Sequence, residues 1–176
     1  SVYALDGTYV DAWRSAGPEH AFVPRAVAVS PVTGDVYAVS RLPWGRIDRF
    51  APDGRWLDGW GEIGGGPREY RSPEDIAVHP DGRVLVADTL NSRIEVLDAD
   101  GRHVTDLAPL PAIVGVDADP STGDIYALYA GDRVAVYQSS GALLRTIQSS
   151  DLGEAFAPGV RLAVGDDGRM AITTGY

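Results

Sequence analysis

The chain repeats itself. A stretch from Pro73 to Leu107, PEDIAVHPDGRVLVADTLNSRIEVLDADGRHVTDL, returns in looser form three times. One copy starts at Pro24 (PRAVAVSPVTGDVYAVSRLPWGRIDRFAPDGRWLDGW) and another at Pro111 (PAIVGVDADPSTGDIYALYAGDRVAVYQSSGALLRTI). A shorter one starts at Pro158 (PGVRLAVGDDGRMAITTGY). A unit of this length cannot bury its own apolar face, so it must stack on copies of itself.

Each full unit holds four short apolar segments, a to d, in which alternate residues are apolar. That period of two predicts strands. Segment a covers about Ala26–Ser30, Ile76–His79, Ile113–Asp117 and Arg161–Gly165. Segment b covers about Asp35–Arg41, Arg83–Thr89, Asp124–Ala130 and Arg169–Thr174. Segment c is Arg46–Ala51, Arg93–Asp98 and Arg133–Gln138, and segment d is Arg55–Gly61, Arg102–Leu107 and Ala142–Gln148. Hairpin signals separate them: Pro80-Asp81-Gly82, Asp53-Gly54, Asp100-Gly101 and Asp167-Gly168. Glycine accepts the positive φ of such turns without a Cβ clash. Four hairpin-linked strands per repeat make the blade of a propeller. The expected fold is therefore all-β: a single β-propeller domain over 1–176 of four-stranded antiparallel blades.

The two ends supply complementary halves. Ser1–Asp6 aligns with segment c and Thr8–Arg14 with d, whereas Arg161–Tyr176 supplies a and b. The division is a half-blade over 1–20, repeats over about 22–66, 72–108 and 110–150, and a half-blade over 157–176. Aligned on the Pro73 unit, only the places of Asn91 and Ser92 fall between Tyr176 and Ser1. About four blades' worth of sequence fits either a closed four-blade ring or part of a larger one.

The residues Pro73, Ile76-Ala77-Val78, Asp81-Gly82, Val86-Ala87-Asp88, Asn91, Arg93-Ile94 and Asp100-Gly101 resemble the NHL repeat. The Gly61–Tyr70 stretch GEIGGGPREY resembles that family's Gly-rich connection between blades. The other full units lack the Asp88 equivalent, and Ser40 stands at that place in the Pro24 unit. The resemblance implies a propeller, commonly of six blades, that serves as an interaction platform. Some members bind RNA, some are sensor domains outside bacterial cells, and some are lyases. An extracytoplasmic setting is the favoured expectation. Asp88 and Arg93 flank one b–c loop, where a charge-assisted hydrogen bond would clamp it.

Charge narrows the partners. Fifteen basic residues, all Arg, face 25 acidic ones, for a net −10. The lack of Lys is read as GC-rich coding bias. A net-negative chain repels phosphate at long range, so no nucleic acid is expected. No apolar run is long enough to span a bilayer, so no membrane insertion is expected. With no Cys, thiolate metal sites and Cys nucleophiles are excluded.

The face that collects a–b and c–d turns carries short Asp-Gly turns. The opposite face, with d–a connections and b–c loops, has longer loops carrying aromatics and both charge signs, the usual carriers of function on a rigid scaffold. Candidate partner-binding residues there are Arg41, Trp44, Arg68, Tyr70, Arg71, Glu74, Asp75, Tyr129 and Arg161. Loop Ser40–Arg46, SRLPWGR, is the leading candidate, and Asp75 and Arg161 are placed at the mouth of the central channel. Trp13 and Trp60, late in d segments, are read as blade-packing residues.

Catalysis needs a poised base, a nucleophile or a metal. His79, His103 and His20 fall on different parts of the predicted blade, so a three-His zinc site is not expected. The run Asp117–Asp124 has calcium-loop spacing but lacks the following bidentate Glu, and is read as an ordinary turn. No catalytic residue, metal or cofactor is assigned. The expected function is a non-catalytic platform binding a protein or other ligand through the loop-rich face. The alternatives are a propeller lyase or hydrolase, and an oligomer-forming module whose exposed edges pair between chains.

Overall fold

In a computed structural model of the protein, residues 2–3, 6–13, 24–40, 45–130, 133–152 and 161–173 are described. The first strands, β1 (Val2–Tyr3) and β2 (Tyr9–Asp11), pair as a hairpin. Blade one follows with β3 (Pro24–Val29), β4 (Val36–Ser40), β5 (Arg46–Phe50) and β6 (Trp56–Trp60). The connection to blade two contains a short parallel pair, β7 (Glu62–Ile63) with β8 (Glu69–Tyr70). Blade two is β9 (Pro73–Val78), β10 (Val84–Asp88), β11 (Arg93–Leu97) and β12 (His103–Leu107). Blade three is β13 (Ile113–Ala118), β14 (Ile125–Tyr129), β15 (Arg133–Tyr137) and β16 (Leu143–Gln148). A last hairpin joins β17 (Arg161–Val164) to β18 (Met170–Thr173).

Each full blade is an antiparallel sheet in chain order, so every connection inside it is a hairpin. The first strands of successive units, β3, β9, β13 and β17, lie side by side in that order and form the inner wall. Sheet stacks on sheet through the period-two alternation. In β10, Val84 and Val86 join Tyr37, Val39, Ile47 and Trp60 of blade one. The intervening Leu85 and Ala87 join Ile113, Ile125 and Ala127 of blade three. In blade three the switch recurs: Tyr126 and Leu128 pack on Leu162 of the last hairpin. A central blade thus buries both faces, each full Val or Leu burial contributing about 1.5–3 kcal/mol.

A second relation ties the outer edges together. At Gly101, a c–d turn with φ +74°, an added Cβ would lie 2.7 Å from the Trp60 indole of the preceding blade. Gly54 stands in the same relation to Trp13, whose ring lies 6.0 Å from Phe50, and Gly141 to Leu107. The d strand of each unit therefore leans on the c–d turn of the next, which gives Trp13 and Trp60 their packing role.

Of the two arrangements open to the sequence, the structure has an open arc. The hairpins β1–β2 and β17–β18 stand as separate two-stranded sheets, and among the described residues no strand pairing joins them. On the inner strand of blade one, Val27 and Val29 remain 63% and 60% exposed.

Candidate functional site

The turn face behaves as the sequence predicts. Asp81, Asp98, Asp119 and Asp167 each accept a backbone N–H two residues on, closing Asx turns. The calcium-like run is used up in the same way: Asp119 accepts from Ser121 and Thr122, and Asp117 Oδ2 accepts the Val164 N–H at 2.8 Å.

The inner wall carries the first constellation. Asp75 is 7% exposed; its Oδ1 accepts the Ile76 N–H at 3.0 Å and its Oδ2 the Val116 N–H of the next blade at 3.1 Å. Asp117 repeats this one blade on, binding its own Ala118 and the neighbouring Val164. Buried Asp75 and half-buried Asp117 thus stitch three inner strands together. Burial pushes the Asp75 carboxyl up to about 6, against the pull of its two amide donors and of Arg161, with Asp117 adding to the rise. Burial also raises Asp117. Asp75, Asp117 and Arg161, with Val27, Val29 and Val116, line a cleft of about 260 Å³. Glu74 lies beside it, buried, its Oε2 receiving the Arg25 guanidinium of blade one at 2.6 Å.

The second constellation surrounds Arg93. Asp88 Oδ2 accepts Arg93 Nε at 3.3 Å and Asn91 Nδ2 at 2.6 Å, while Oδ1 accepts the Arg71 N–H at 2.8 Å. Arg93 also donates to the carbonyls of Gly66 and Glu69 at 2.9 and 2.7 Å, and Asn91 to that of Gly64 at 2.8 Å. The pair therefore holds more than its own loop: it binds the Gly-rich connection onto blade two. Left-handed Ser92 (φ +56°) closes the short turn Thr89–Asn91 between the two partners. Sequence reasoning found Asp88 and Arg93 but missed their carbonyl acceptors, which come from a segment over twenty positions upstream.

The predicted partner-binding residues do not form one patch. Asp75, Glu74 and Arg161 gather at the inner wall. Arg68 and Arg71 are exposed, and the Arg68 guanidinium lies 6.0 Å over the Trp60 ring. Tyr70 is a correction: at 1% exposure it belongs to the core between blades one and two, and burial followed by the Glu95 carboxylate raises its phenol well above the ordinary range. Tyr129 is corrected likewise. It is 6% exposed and packs between blades two and three, with Arg133 4.4 Å over its ring. Alternation explains Tyr129, which falls on the face of β14 turned to blade two, whereas Tyr70 is carried into the blade one–two seam by the connection that holds β8. Arg41 and Trp44 lie outside the described residues, as does His20.

The remaining histidines point apart. His79 is buried at the blade two–three seam, its Nε2 2.9 Å from the Gly123 carbonyl and its Nδ1 2.7 Å from Asp81. His103 sits on the outer strand, 3.2 Å from Asp106.

Residues 70–97 match the NHL repeat. The architecture is that of β-propeller blades, and its second blade carries an NHL repeat. Among curated proteins it is similar to peptidyl-glycine alpha-amidating monooxygenase B of Xenopus laevis, 28% identical over 88% of this chain and 19% of that protein. It is also similar to the peptidylglycine alpha-amidating monooxygenase of Rattus norvegicus, 30% identical over 69% of this chain and 15% of that protein. The chain thus spans less than a fifth of these relatives. Among solved structures, a gluconolactonase from Xanthomonas campestris superposes with a TM-score of 0.69 at 20% identity, over 98% of this chain and 61% of that one. Virginiamycin B lyase from Staphylococcus aureus superposes with a TM-score of 0.65 at 18% identity, over 88% and 50%. At such identities the likeness is one of fold.

Proposed function

We propose that the chain is a binding platform that takes a protein segment or small polar ligand at the mouth of the propeller channel, on the face of the d–a and b–c loops. One observation carries this reading: Asp75 and Arg161, of opposite sign, line the same cleft walled by inner strands of successive units. A concave site with a few convergent polar groups on rigid strands is the usual form of a ligand pocket. Arg161 suits an acceptor such as a carboxylate or peptide carbonyl, and the carboxylates suit a donor or cation. Exposed Arg68 and Arg71, with the loop of Arg41 and Trp44, would extend the contact for a larger partner.

The test is a thermal-shift and titration screen of short peptides and polar metabolites against the full chain. A hit should weaken at least about tenfold, the worth of one charge-assisted contact, in Arg161→Gln, while Arg102→Gln on the turn face leaves it unchanged. Equal binding by both variants, or no hit, overturns the channel reading. In parallel, Arg41→Ala with Trp44→Ala should weaken a protein partner without unfolding the chain.

A second reading, lyase or hydrolase chemistry, is favoured by the similarity to amidating monooxygenases over most of the chain. Assay of a glycine-extended peptide and of lactones, with and without added Zn²⁺, decides it; turnover abolished by Asp75→Asn would replace the platform reading.

A further inference from the structure

The outer half of blade two carries a set of groups that its neighbours lack. Glu95, His103 and Asp106 each bring a potential ligand atom within 4.8 Å of the others. Glu95 is fully buried. Its Oε1 accepts the Arg68 N–H at 2.7 Å, whereas its Oε2 closes no hydrogen bond and the buried Tyr70 hydroxyl, likewise without one, is the neighbour of the carboxylate.

The repeat supplies its own control. Strand register places Glu95 opposite Asp106, with His103 opposite Leu97. In blade one the same positions are Asp48, Gly59 and Trp56. There the indole of Trp56 donates to Asp48 Oδ1 at 2.9 Å, as does Arg46 at 3.0 Å, and Gly59 leaves room for the guanidinium; Asp48 Oδ2 lacks a partner as Glu95 Oε2 does, so what sets blade two apart is the imidazole and the second carboxylate beside that oxygen. In blade three they are Ala135, Thr146 and Leu143, and the sheet packs without any carboxylate. The scaffold therefore does not require an acid–imidazole–acid set. In blade two the donor indole gives way to an imidazole and the glycine to a second carboxylate.

Charge makes the same point. Arg93 is shared by three carboxylates: Asp106 at 3.1 Å, Asp88 at 3.3 Å and Glu95 at 4.0 Å. One guanidinium against three carboxylates leaves two negative charges uncompensated beside a buried, partly unpartnered oxygen, an arrangement that costs free energy unless a cation joins it.

We propose that Glu95, His103 and Asp106 form a binding site for a divalent transition-metal ion, of which Zn²⁺ is the probe of choice. The donor set, one imidazole nitrogen and two carboxylate oxygens, suits a borderline cation better than Ca²⁺ or Mg²⁺. Ligand distances of about 2.0–2.2 Å put such atoms roughly 3–4 Å apart. His103 and Asp106 already stand at 3.2 Å. Arg93 keeps one oxygen of Asp106 and the Arg68 amide one oxygen of Glu95, which orients both carboxylates and leaves their second oxygens to the ion. Because the ligands span β11 and β12 and Glu95 is tied to the interblade connection, the ion would lock the blade one–two seam.

The test uses the full chain stripped with chelator and titrated with ZnCl₂ by calorimetry, alongside thermal unfolding. One site per chain and a raised unfolding midpoint are expected. His103→Leu and Asp106→Thr install the blade-three residues, so both should fold, which far-UV circular dichroism checks. Each should weaken Zn²⁺ at least about tenfold, the lower bound set by outer-sphere losses, and abolish the thermal shift; His79→Gln should change neither. Absence of binding by the parent chain, or Zn²⁺ affinity retained in His103→Leu, overturns the site. Failure here leaves the channel-mouth reading untouched, since none of these residues lines that cleft.

Discussion

At the scale of single residues, the structure turns on carboxylates that leave water. Asp75 is the clearest. With its folded pKa raised to about 6 from 3.8, the native state holds the proton more firmly than the unfolded chain. Its contribution to stability is fully present below the unfolded value and is lost as pH rises through about 6. A shift of about two units corresponds to about 3 kcal/mol across that window. Asp75→Asn should flatten this slope, so urea melts of the parent and variant between pH 4 and 7 should converge or diverge in parallel with the titration; identical slopes would refute it. A second residue-scale contrast uses two glycines with the same φ of +74°. A Cβ at Gly101 meets Trp60, whereas one at Gly168 meets nothing within 4 Å. Gly101→Ala should therefore cost about 1–3 kcal/mol more than Gly168→Ala, the range of an overpacked contact. Backbone strain cancels between them, so the difference in denaturation free energy reports the indole stacking alone.

Among elements, the joints matter more than the blades. Hairpin order within a blade follows from short Asp-Gly turns and alternating apolar residues, both visible in the sequence. What fixes one blade to the next is a set of side-chain–to–backbone bonds: Asp75 to Val116, Asp117 to Val164, and Arg93 to Gly66 and Glu69. The last hairpin, β17–β18, hangs on blade three through Leu162 and the Asp117 bond. Asp117→Ala should leave the Val164 amide without its acceptor and speed hydrogen exchange across Arg161–Val164, with Leu85 and Ala87 of blade two still protected. Uniform acceleration in both regions would show that the hairpin is not a separate opening unit. The parallel pair β7–β8 had no signal in the sequence. Two residues per strand carry no periodicity, and the pairing exists because Arg93 and Asn91 hold the connection in place.

Taken whole, the molecule is an acidic arc of stacked sheets. Its net charge of −10 opposes compaction through self-repulsion. Raising NaCl from about 10 mM to about 150 mM shortens the screening length from about 30 to about 8 Å. The thermal midpoint should rise; a fall would mean that exposed pairs such as Arg102–Asp100 outweigh the general repulsion. Repeat length, strand alternation and turn chemistry were enough to determine the blades, their strand order and the pairing of Asp88 with Arg93 across one loop, because each depends on neighbours within one unit, though not that pair's grip on the interblade connection. Three features depended on the tertiary structure: the turning of Tyr70 and Tyr129 into seams between blades, the meeting of Asp75, Asp117 and Arg161 in one cleft, and the separation of the two terminal hairpins. The physical reason is common to all three. Period-two alternation says that a side chain leaves the sheet on one face or the other, but which neighbour stands there, and whether any does, is set only when the sheets stack.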